Sequence, residues 1–174
     1  MCNDITTDPE GRVYAGTLVR SSPTGCLYLL RRGQEPARLL SGIGGSNVMT
    51  FSLDQKYFFH TDSLTRRITR YQYDRRTGGI GSPSVFFQGE APDGLPDGIT
   101  LDAEGHLWVA FWGAAAVRRL DPAGKVVREF RFPARQVSSV MFGGPTLEEL
   151  YVTSAAEDAA DLSTGRDANG VFLG

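Results

Sequence analysis

Cysteine is scarce in this sequence, and long apolar runs are missing. The two cysteines of the 174-residue chain, Cys2 and Cys26, are too few for a disulfide framework. We interpret both as inert, partly buried thiols rather than as a disulfide or a metal pair. No segment has the roughly 18 apolar residues of a membrane span or the form of a secretory signal. We therefore expect a reducing, cytoplasmic location and no membrane partner.

Clusters of positive charge are also scarce. Eighteen Lys and Arg residues against 20 Asp and Glu residues leave a formal net charge of −2. Phosphate binding depends on clustered cations, so nucleic acid is not an expected partner. The densest basic stretch runs from Arg66 to Arg76 and alternates with Ile68, Tyr71 and Tyr73. This alternation is typical of a solvated outer strand.

Apolar stretches with helical periodicity are nearly absent, apart from an ambiguous Ala-rich patch at 155–160. The 21 glycines and nine prolines are spread along the chain and separate short segments rich in Val, Ile, Leu, Phe and Tyr. That distribution is typical of many short strands. The chain is 41% hydrophobic and 22% charged, which is the composition of a folded globular protein. We expect an all-β fold.

One sequence unit recurs along the chain, and it consists of an acidic turn followed by an apolar strand. Its aromatic positions Tyr14, Phe58, Trp108 and Tyr151 are 44, 50 and 43 residues apart. A second pair of strands follows each of the first three units. These pairs are predicted at 26–31 with 37–40, 67–73 with 84–87, and 117–120 with 126–132. About four strands in a period of about 45 residues are typical of a β-propeller.

The number of blades in this pattern is small. The chain holds three nearly full four-stranded blades and a fourth that ends at 170–174, one strand short. Closed propellers have about four to eight blades. We therefore expect residues 1–174 to form one partial propeller domain of about three and a half blades. Either its first blades are absent, or it closes by self-association through open propeller edges.

Polar residues stand where the first strand of each blade begins. In a propeller these strands surround the central channel, so their first residues converge at its mouth. The four strands begin with Asn3, Asn47, Asp97 and Ser138-Ser139. One carboxylate with amide oxygens suits calcium, magnesium or manganese, and it is acceptable to zinc. Asn and Asp beside Gly and Pro are also ordinary turn residues, so the spacing alone leaves both interpretations open.

Other polar residues receive structural interpretations. His60 and His106 lie in or beside strands, where we expect core or surface roles rather than catalysis. Asp62-Ser63 and Asp102 are expected to cap turns rather than to bind an ion. No Ser-His-acid set is evident, so the chemistry of a serine hydrolase is not expected.

Several sequence blocks along the chain combine into a familiar pattern. They are Asn3-Asp4 with Asp8-Pro-Glu-Gly-Arg12; Ser46-Asn47 with Ser52-Leu-Asp54 and Thr61-Asp-Ser63; Pro96-Asp-Gly98 with Asp102-Ala-Glu-Gly105 and Leu107-Trp-Val-Ala110; and Phe142-Gly-Gly144 with Leu150-Tyr-Val-Thr153. Together they resemble the regucalcin, gluconolactonase and luciferin-regenerating-enzyme family, also called the senescence marker protein family. The resemblance covers nearly the whole chain and implies a six-bladed propeller with one divalent metal ion at the channel mouth.

The resemblance also implies roles for individual residues. Asn47 matches an asparagine that binds the metal. Asp97 matches an aspartate that binds the metal and acts as the general base. Asn3 matches an asparagine that contacts the substrate. The implied reaction opens a small-molecule sugar lactone to the sugar acid, with one divalent cation, calcium, zinc, magnesium or manganese, as the cofactor.

The sequence departs from the family pattern at four places. The family's ligand glutamate belongs to a first blade that this sequence lacks. Met1 stands where the family has a substrate-contacting arginine, and Ser21, in a shortened loop at 19–24, stands near a family glutamate. Val48 replaces the glycine that follows the ligand asparagine. The functional hypothesis is a lactone hydrolase, and the alternative is an inactive propeller that serves as a binding or interaction module.

Overall fold

The computed structural model describes residues 1–19, 23–156 and 172–173, and the chain divides into two compact units, Met1–Gln88 and Gly89–Gly174. Both units are built from antiparallel β-strands. The predicted all-β fold is therefore confirmed. Among the described residues, no helix is long and apolar enough to span a membrane.

The first unit contains two four-stranded antiparallel sheets. Their strands are β1 (Cys2–Thr7), β2 (Val13–Thr17), β3 (Gly25–Leu30) and β4 (Ala37–Ile43) in one sheet, and β5 (Ser46–Phe51), β6 (Tyr57–Asp62), β7 (Arg67–Asp74) and β8 (Gly79–Gln88) in the other. Each strand pairs with the next strand along the chain, which is the topology of a propeller blade. These sheets are the first two predicted blades.

The second unit begins with a short 3₁₀ helix at Ala91–Asp93. Its strands are β9 (Leu95–Leu101), β10 (Leu107–Trp112), β11 (Ala116–Leu120), β12 (Val126–Arg131), β13 (Gln136–Gly143), β14 (Glu149–Ala155) and β15 (Phe172–Leu173). Strands β9 to β12 form a third blade, and β13 to β15 form three strands of a fourth. One backbone pair, Trp112 with Gln136, links the two. Within the described residues the fourth blade has three strands, as predicted, and most of the Ala-rich patch lies outside those residues.

Apolar side chains fill the space between the blades of each unit. In the first unit the core residues are Tyr14, Leu27, Leu29, Ile43, Met49, Phe58 and Tyr73. The repeated aromatic residues Tyr14 and Phe58 meet there, with ring centroids 5.1 Å apart. In the second unit the core residues are Ala110, Val117, Val137, Val140 and Val152. The sequence repeat therefore supplies the same kind of contact in successive blades.

The repeated acidic residue closes a turn within a blade. This turn either follows the first strand or connects the last two strands. Asp8, Asp102 and Asp121 each accept bonds from the backbone N–H groups two and four residues later, at 2.9–3.1 Å. A short carboxylate can close such a turn because it replaces backbone bonds that the turn leaves unmade. The turn-capping role predicted for Asp102 is confirmed.

Side chains of the first blade hold the β7–β8 hairpin of the second blade at residues 75–78. Three of them donate to its backbone carbonyl groups. The bonds are Arg12 Nη2 to Arg75 O at 2.5 Å, Arg31 Nη2 to Thr77 O at 2.6 Å, and Tyr14 OH to Gly78 O at 2.8 Å. Asp8, which is only 5% exposed, pairs with Arg12 and accepts a bond from Tyr73 OH at 2.7 Å. Polar groups therefore fasten the two blades at one end.

Candidate functional site

A β-bulge interrupts the first strand of every blade, close to the start of the strand. The bulges lie at Asn3 in β1, at Asn47 and Val48 in β5, at Asp97 and Gly98 in β9, and at Ser138 in β13. In a bulge an extra residue has no partner of its own on the neighbouring strand, which re-aims side chains and is common next to active sites. The three residues predicted to form the site all occupy this position.

In the first unit the structure brings Asn3 and Asn47 together. Strands β1 and β5 lie side by side, and Asn3 Nδ2 donates to Ser46 O at 2.9 Å. Asn47 Nδ2 donates to Ser63 Oγ at 3.1 Å. Its Oδ1 accepts the N–H of Val48 at 3.0 Å, and an amide oxygen has a second lone pair. Both carboxamides are thus oriented by the protein, and their oxygens retain the capacity to bind a further group.

In the second unit Asp97 lies beside the bulge of the fourth blade. A Cβ atom added at Gly98 would lie 2.8 Å from Ser138 O and 2.6 Å from Ser139 Oγ. Strands β9 and β13 can approach this closely because residue 98 is glycine. Asp97 itself is partly buried between two buried residues. Because Asp97 and Asn47 belong to different units, their binding of one metal stays a prediction.

The segment that leads into Asp97 is fixed by a buried arginine that the sequence did not reveal. Arg118 is 8% exposed and lies over the ring of Phe111, 4.4 Å from its centroid. Its Nη1 atom lies 3.2 Å from Asp93 Oδ1, and its Nε atom donates to Glu129 Oε2 at 2.7 Å. Asp93 is the last residue of the 3₁₀ helix. Arg118 therefore anchors this helix shortly before the strand that carries Asp97.

The first unit also contains a buried serine–histidine pair that the sequence analysis missed. Ser46 Oγ lies 2.8 Å from His60 Nε2, and the residues are 0% and 3% exposed. Burial lowers the pKa of His60 to about 4, although Asp62 opposes this shift. A serine that no substrate can reach is not a nucleophile, so His60 has the core role predicted for it. The two residues are 14 positions apart, and only the strand register shows that they meet.

Asp62 caps the connection between β4 and β5, and Ser63 contacts Asn47 in β5. The Asp62 carboxylate accepts the N–H groups of Gly44 and Gly45 at 3.0 and 2.8 Å. Ser63 Oγ accepts the bond from Asn47 described above. Asp62 therefore fixes the loop that enters β5. Ser63 fixes the side chain of a predicted ligand.

Asp102, Glu104 and His106 form a cluster whose potential ligand atoms lie within 4.8 Å of one another. It surrounds the β9–β10 turn, at the opposite end of β9 from Asp97. Arg119 already donates to Asp102 at 2.8 Å and to Glu104 at 2.6 Å. Burial alone would raise the pKa of Asp102, but bonds from Trp108, the N–H of His106 and Arg119 lower it to about 2. The cluster carries its own cation and is a structural ion network.

Two smaller predictions concern residues near the start of the chain. Cys2 and Cys26 are both free thiols, as expected, but Cys2 is exposed rather than partly buried. It lies near the start of β1, where the neighbouring residues are exposed as well. Ser21 lies outside the described residues.

A cytoplasmic location stays a prediction from the sequence.

The sequence of this chain is similar to that of known proteins. The chain matches the model of the SMP-30/Gluconolactonase/LRE-like region over residues 1–156. It is similar to pentonolactonase XacC of Haloferax volcanii, with 37% identity over 176 residues, 98% of this chain and 60% of that protein. Regucalcin of Gallus gallus is also 37% identical, over 180 residues, with the same coverage of 98% and 60%. The chain thus spans about three fifths of the length of these relatives.

A solved structure agrees with these sequence matches. Regucalcin from Agrobacterium tumefaciens, described as a calcium-binding protein, matches the fold with a TM-score of 0.89 at 32% identity. The match covers 99% of this chain and 60% of that protein. The family model, the relatives and the fold all agree with the resemblance inferred from the motifs. The chain therefore belongs to the SMP-30/gluconolactonase/LRE-like family.

Proposed function

We propose that the intact protein hydrolyses sugar lactones to the open sugar acids with the help of one divalent cation. The observation that carries this proposal is the recurrence of the bulge. Three blades present an oxygen-bearing side chain, Asn3, Asn47 or Asp97, at the same position of their first strand. The similarity to a pentonolactonase at 37% identity supports the choice of substrate class.

The donor atoms at these positions fit a hard divalent cation. Asn47 offers an amide oxygen and Asp97 a carboxylate, and such oxygen ligands suit calcium, magnesium or manganese and are acceptable to zinc. These two residues would hold the ion. When bound, the cation would polarise the lactone carbonyl and favour deprotonation of the attacking water.

Asp97 would act as the general base in this reaction. Its carboxylate takes a proton from water while the water oxygen bonds to the carbonyl carbon of the lactone. The bond between that carbon and the ring oxygen then breaks, and the ring oxygen takes the proton back from Asp97. Water is consumed and the hydroxy acid is released. Asn3 would orient the substrate through hydrogen bonds to its hydroxyl groups.

Chelation tests both parts of this proposal. The intact protein is assayed for acid release from gluconolactone and pentonolactones, before and after treatment with EDTA. We expect turnover that EDTA abolishes and that calcium, magnesium, manganese or zinc restores. Turnover that resists EDTA and dialysis would contradict the metal dependence. A folded protein that hydrolyses no lactone would contradict the enzyme hypothesis and favour the binding module.

A further inference from the structure

The fourth blade repeats the bulge at a residue to which no role has been given. Ser138 lies between the backbone pairs Val137–Ser154 and Ser139–Thr153 and has no partner in this ladder. It occupies the same place in β13 as Asp97 occupies in β9. A bulge is made by the backbone and does not require a polar side chain. A polar residue at this place in all four blades therefore points to a shared task.

The bulge that contains Ser138 lies against the bulge that contains Asp97. The Cβ position of Gly98 is occupied by the backbone oxygen of Ser138 and by Cα and Oγ of Ser139. Both Asp97 and Ser138 are partly buried. A ligand that reaches the Asp97 carboxylate at this end of β9 would thus also meet β13 at Ser138.

The hydroxyl group of Ser138 is oriented by one hydrogen bond and can form further hydrogen bonds. It shares a hydrogen bond with Thr153 Oγ1 at 2.9 Å. A hydroxyl has one donor and two acceptor positions, so it can bind a further group. Asn3 and Asn47 are comparable, since hydrogen bonds to the protein also fix their polar side chains at the bulge. The geometry is that of a binding group rather than of a nucleophile, since the two histidines pair with Ser46 and with Arg119.

We propose that Ser138 binds a hydroxyl group of the sugar lactone beside Asp97 and helps to select polyhydroxylated lactones. The inference rests on the proposed function and adds a substrate-binding residue to it. Sugar lactones differ from simple lactones in their ring and chain hydroxyl groups. A small hydroxyl side chain next to the base is suited to recognise one of these groups, because it can donate and accept.

Three variants of the intact protein test the role of Ser138. Ser138→Ala removes the hydroxyl, Ser138→Thr keeps it, and Ser139→Ala is the matched control one residue further along the strand. We expect Ser138→Ala to raise KM for gluconolactone roughly 3- to 10-fold, the effect of losing one neutral hydrogen bond. The kcat value should stay within about 2-fold, since the chemical step does not depend on this contact. Ser138→Thr and Ser139→Ala should keep the KM of the unmodified protein.

A set of deoxy-gluconolactones, each lacking one hydroxyl, shows whether the contact is direct. The unmodified protein should lose affinity for one of them, and Ser138→Ala should lose no more, since the two changes remove the same bond. If Ser138→Ala keeps the original KM, or if Ser139→Ala raises KM equally, the inference is wrong while lactone hydrolysis stands.

Calorimetric binding of gluconate separates this inference from the proposed reaction. If the protein turns over no lactone but binds gluconate, and Ser138→Ala weakens this binding, then Ser138 is a binding residue and the proposed reaction is wrong. A protein that neither turns over lactone nor binds gluconate would overturn both.

Discussion

The charge of Asp97 can be removed with little change in the shape of its side chain. The residue is partly buried, whereas Pro96 before it and Gly98 after it are buried. The bulge sets the direction of the side chain through the backbone. An amide has nearly the size of a carboxylate, so Asp97→Asn changes charge and basicity but not shape.

We predict that Asp97→Asn in the intact protein lowers kcat for gluconolactone by roughly 10²- to 10⁴-fold, the usual contribution of a general base. Its thermal unfolding should be nearly unchanged, because no packed atom is lost. Asp121→Asn, which alters a turn aspartate of the same unit, serves as the control for kcat. Asp97→Asn with undiminished turnover would remove Asp97 from the mechanism.

The buried Ser46–His60 pair makes stability depend on pH. Burial lowers the pKa of His60 to about 4 in the folded protein, whereas an exposed histidine has a pKa of about 6.5. As the pH falls through 6.5, the unfolded chain therefore binds a proton before the folded chain does. Folding is weakened by about 1.4 kcal/mol per pH unit in this window, and by about 3 kcal/mol near pH 4.

We predict that His60→Gln removes this part of the acid sensitivity. The free energy of unfolding is measured in urea between pH 7 and pH 4 for the unmodified protein, for His60→Gln and for His106→Gln. His60→Gln should show a shallower decline with falling pH, even if its stability at pH 7 is lower. Equal slopes for His60→Gln and the unmodified protein would show that His60 titrates normally in the fold.

At the scale of elements, Asp8 joins two blades of the first unit as well as closing its own turn. Burial tends to raise the pKa of Asp8, but bonds from Tyr73 and Arg12 lower it more. The carboxylate is therefore charged at neutral pH and fully paired. Arg12 in turn holds the β7–β8 hairpin. Asp54 closes the equivalent turn of the second blade with an exposed carboxylate, which bonds to Ser52 and Lys56 of the same turn.

We predict that Asp8→Ala lowers the free energy of unfolding by about 3 kcal/mol, because it leaves Arg12 and Tyr73 without their buried acceptor. Asp54→Ala is the matched control and should cost much less, since its carboxylate is exposed. Urea denaturation of both variants measures the difference. Similar losses would mean that Asp8 stabilises the protein by closing its turn rather than by the contact between blades.

The sequence predicted most strands of these blades but not their irregularities. The strand predicted at 26–31 is observed at Gly25–Leu30, because its apolar alternation is clear. The strand predicted at 84–87 extends over Gly79–Gln88 and includes Pro83. Strand β8 is the last strand of its sheet, where proline costs no ladder bond. Composition does not indicate where a bulge occurs. The sequence therefore predicted that Asn3, Asn47 and Asp97 occupy equivalent positions, but not that each of these positions is a bulge.

At the scale of the whole molecule, one face of the first blade carries exposed apolar side chains. Leu27 and Leu29 of the first blade pack towards the second blade, so the alternate residues point the other way. Ile5 pairs with Ala15, which pairs with Tyr28, on that second face. Ile5 is 59% exposed and Leu30 is 36% exposed. Apolar sheet faces of this kind favour association.

We predict that the 174-residue chain of 18.9 kDa self-associates in solution. Light scattering should give a mass at least twice that of the monomer at micromolar concentration. The double change Ile5→Thr and Leu30→Thr should shift the protein towards the monomer, while Val85→Thr, which changes an exposed residue of the second blade, should not. A monomer at all concentrations would show that this face is tolerated in water.

A bulge residue is an addition to its strand, so its removal leaves a regular antiparallel pair behind. Without Asp97, Gly98 would face Ala110, and Ile99 would keep its place opposite Val109. A deletion of a single codon in a duplicated gene would then delete the proposed base and leave β9 and β10 paired without a bulge. Such a copy would lose turnover in one genetic event and still fold, which gives this architecture a short evolutionary route from enzyme to inert scaffold.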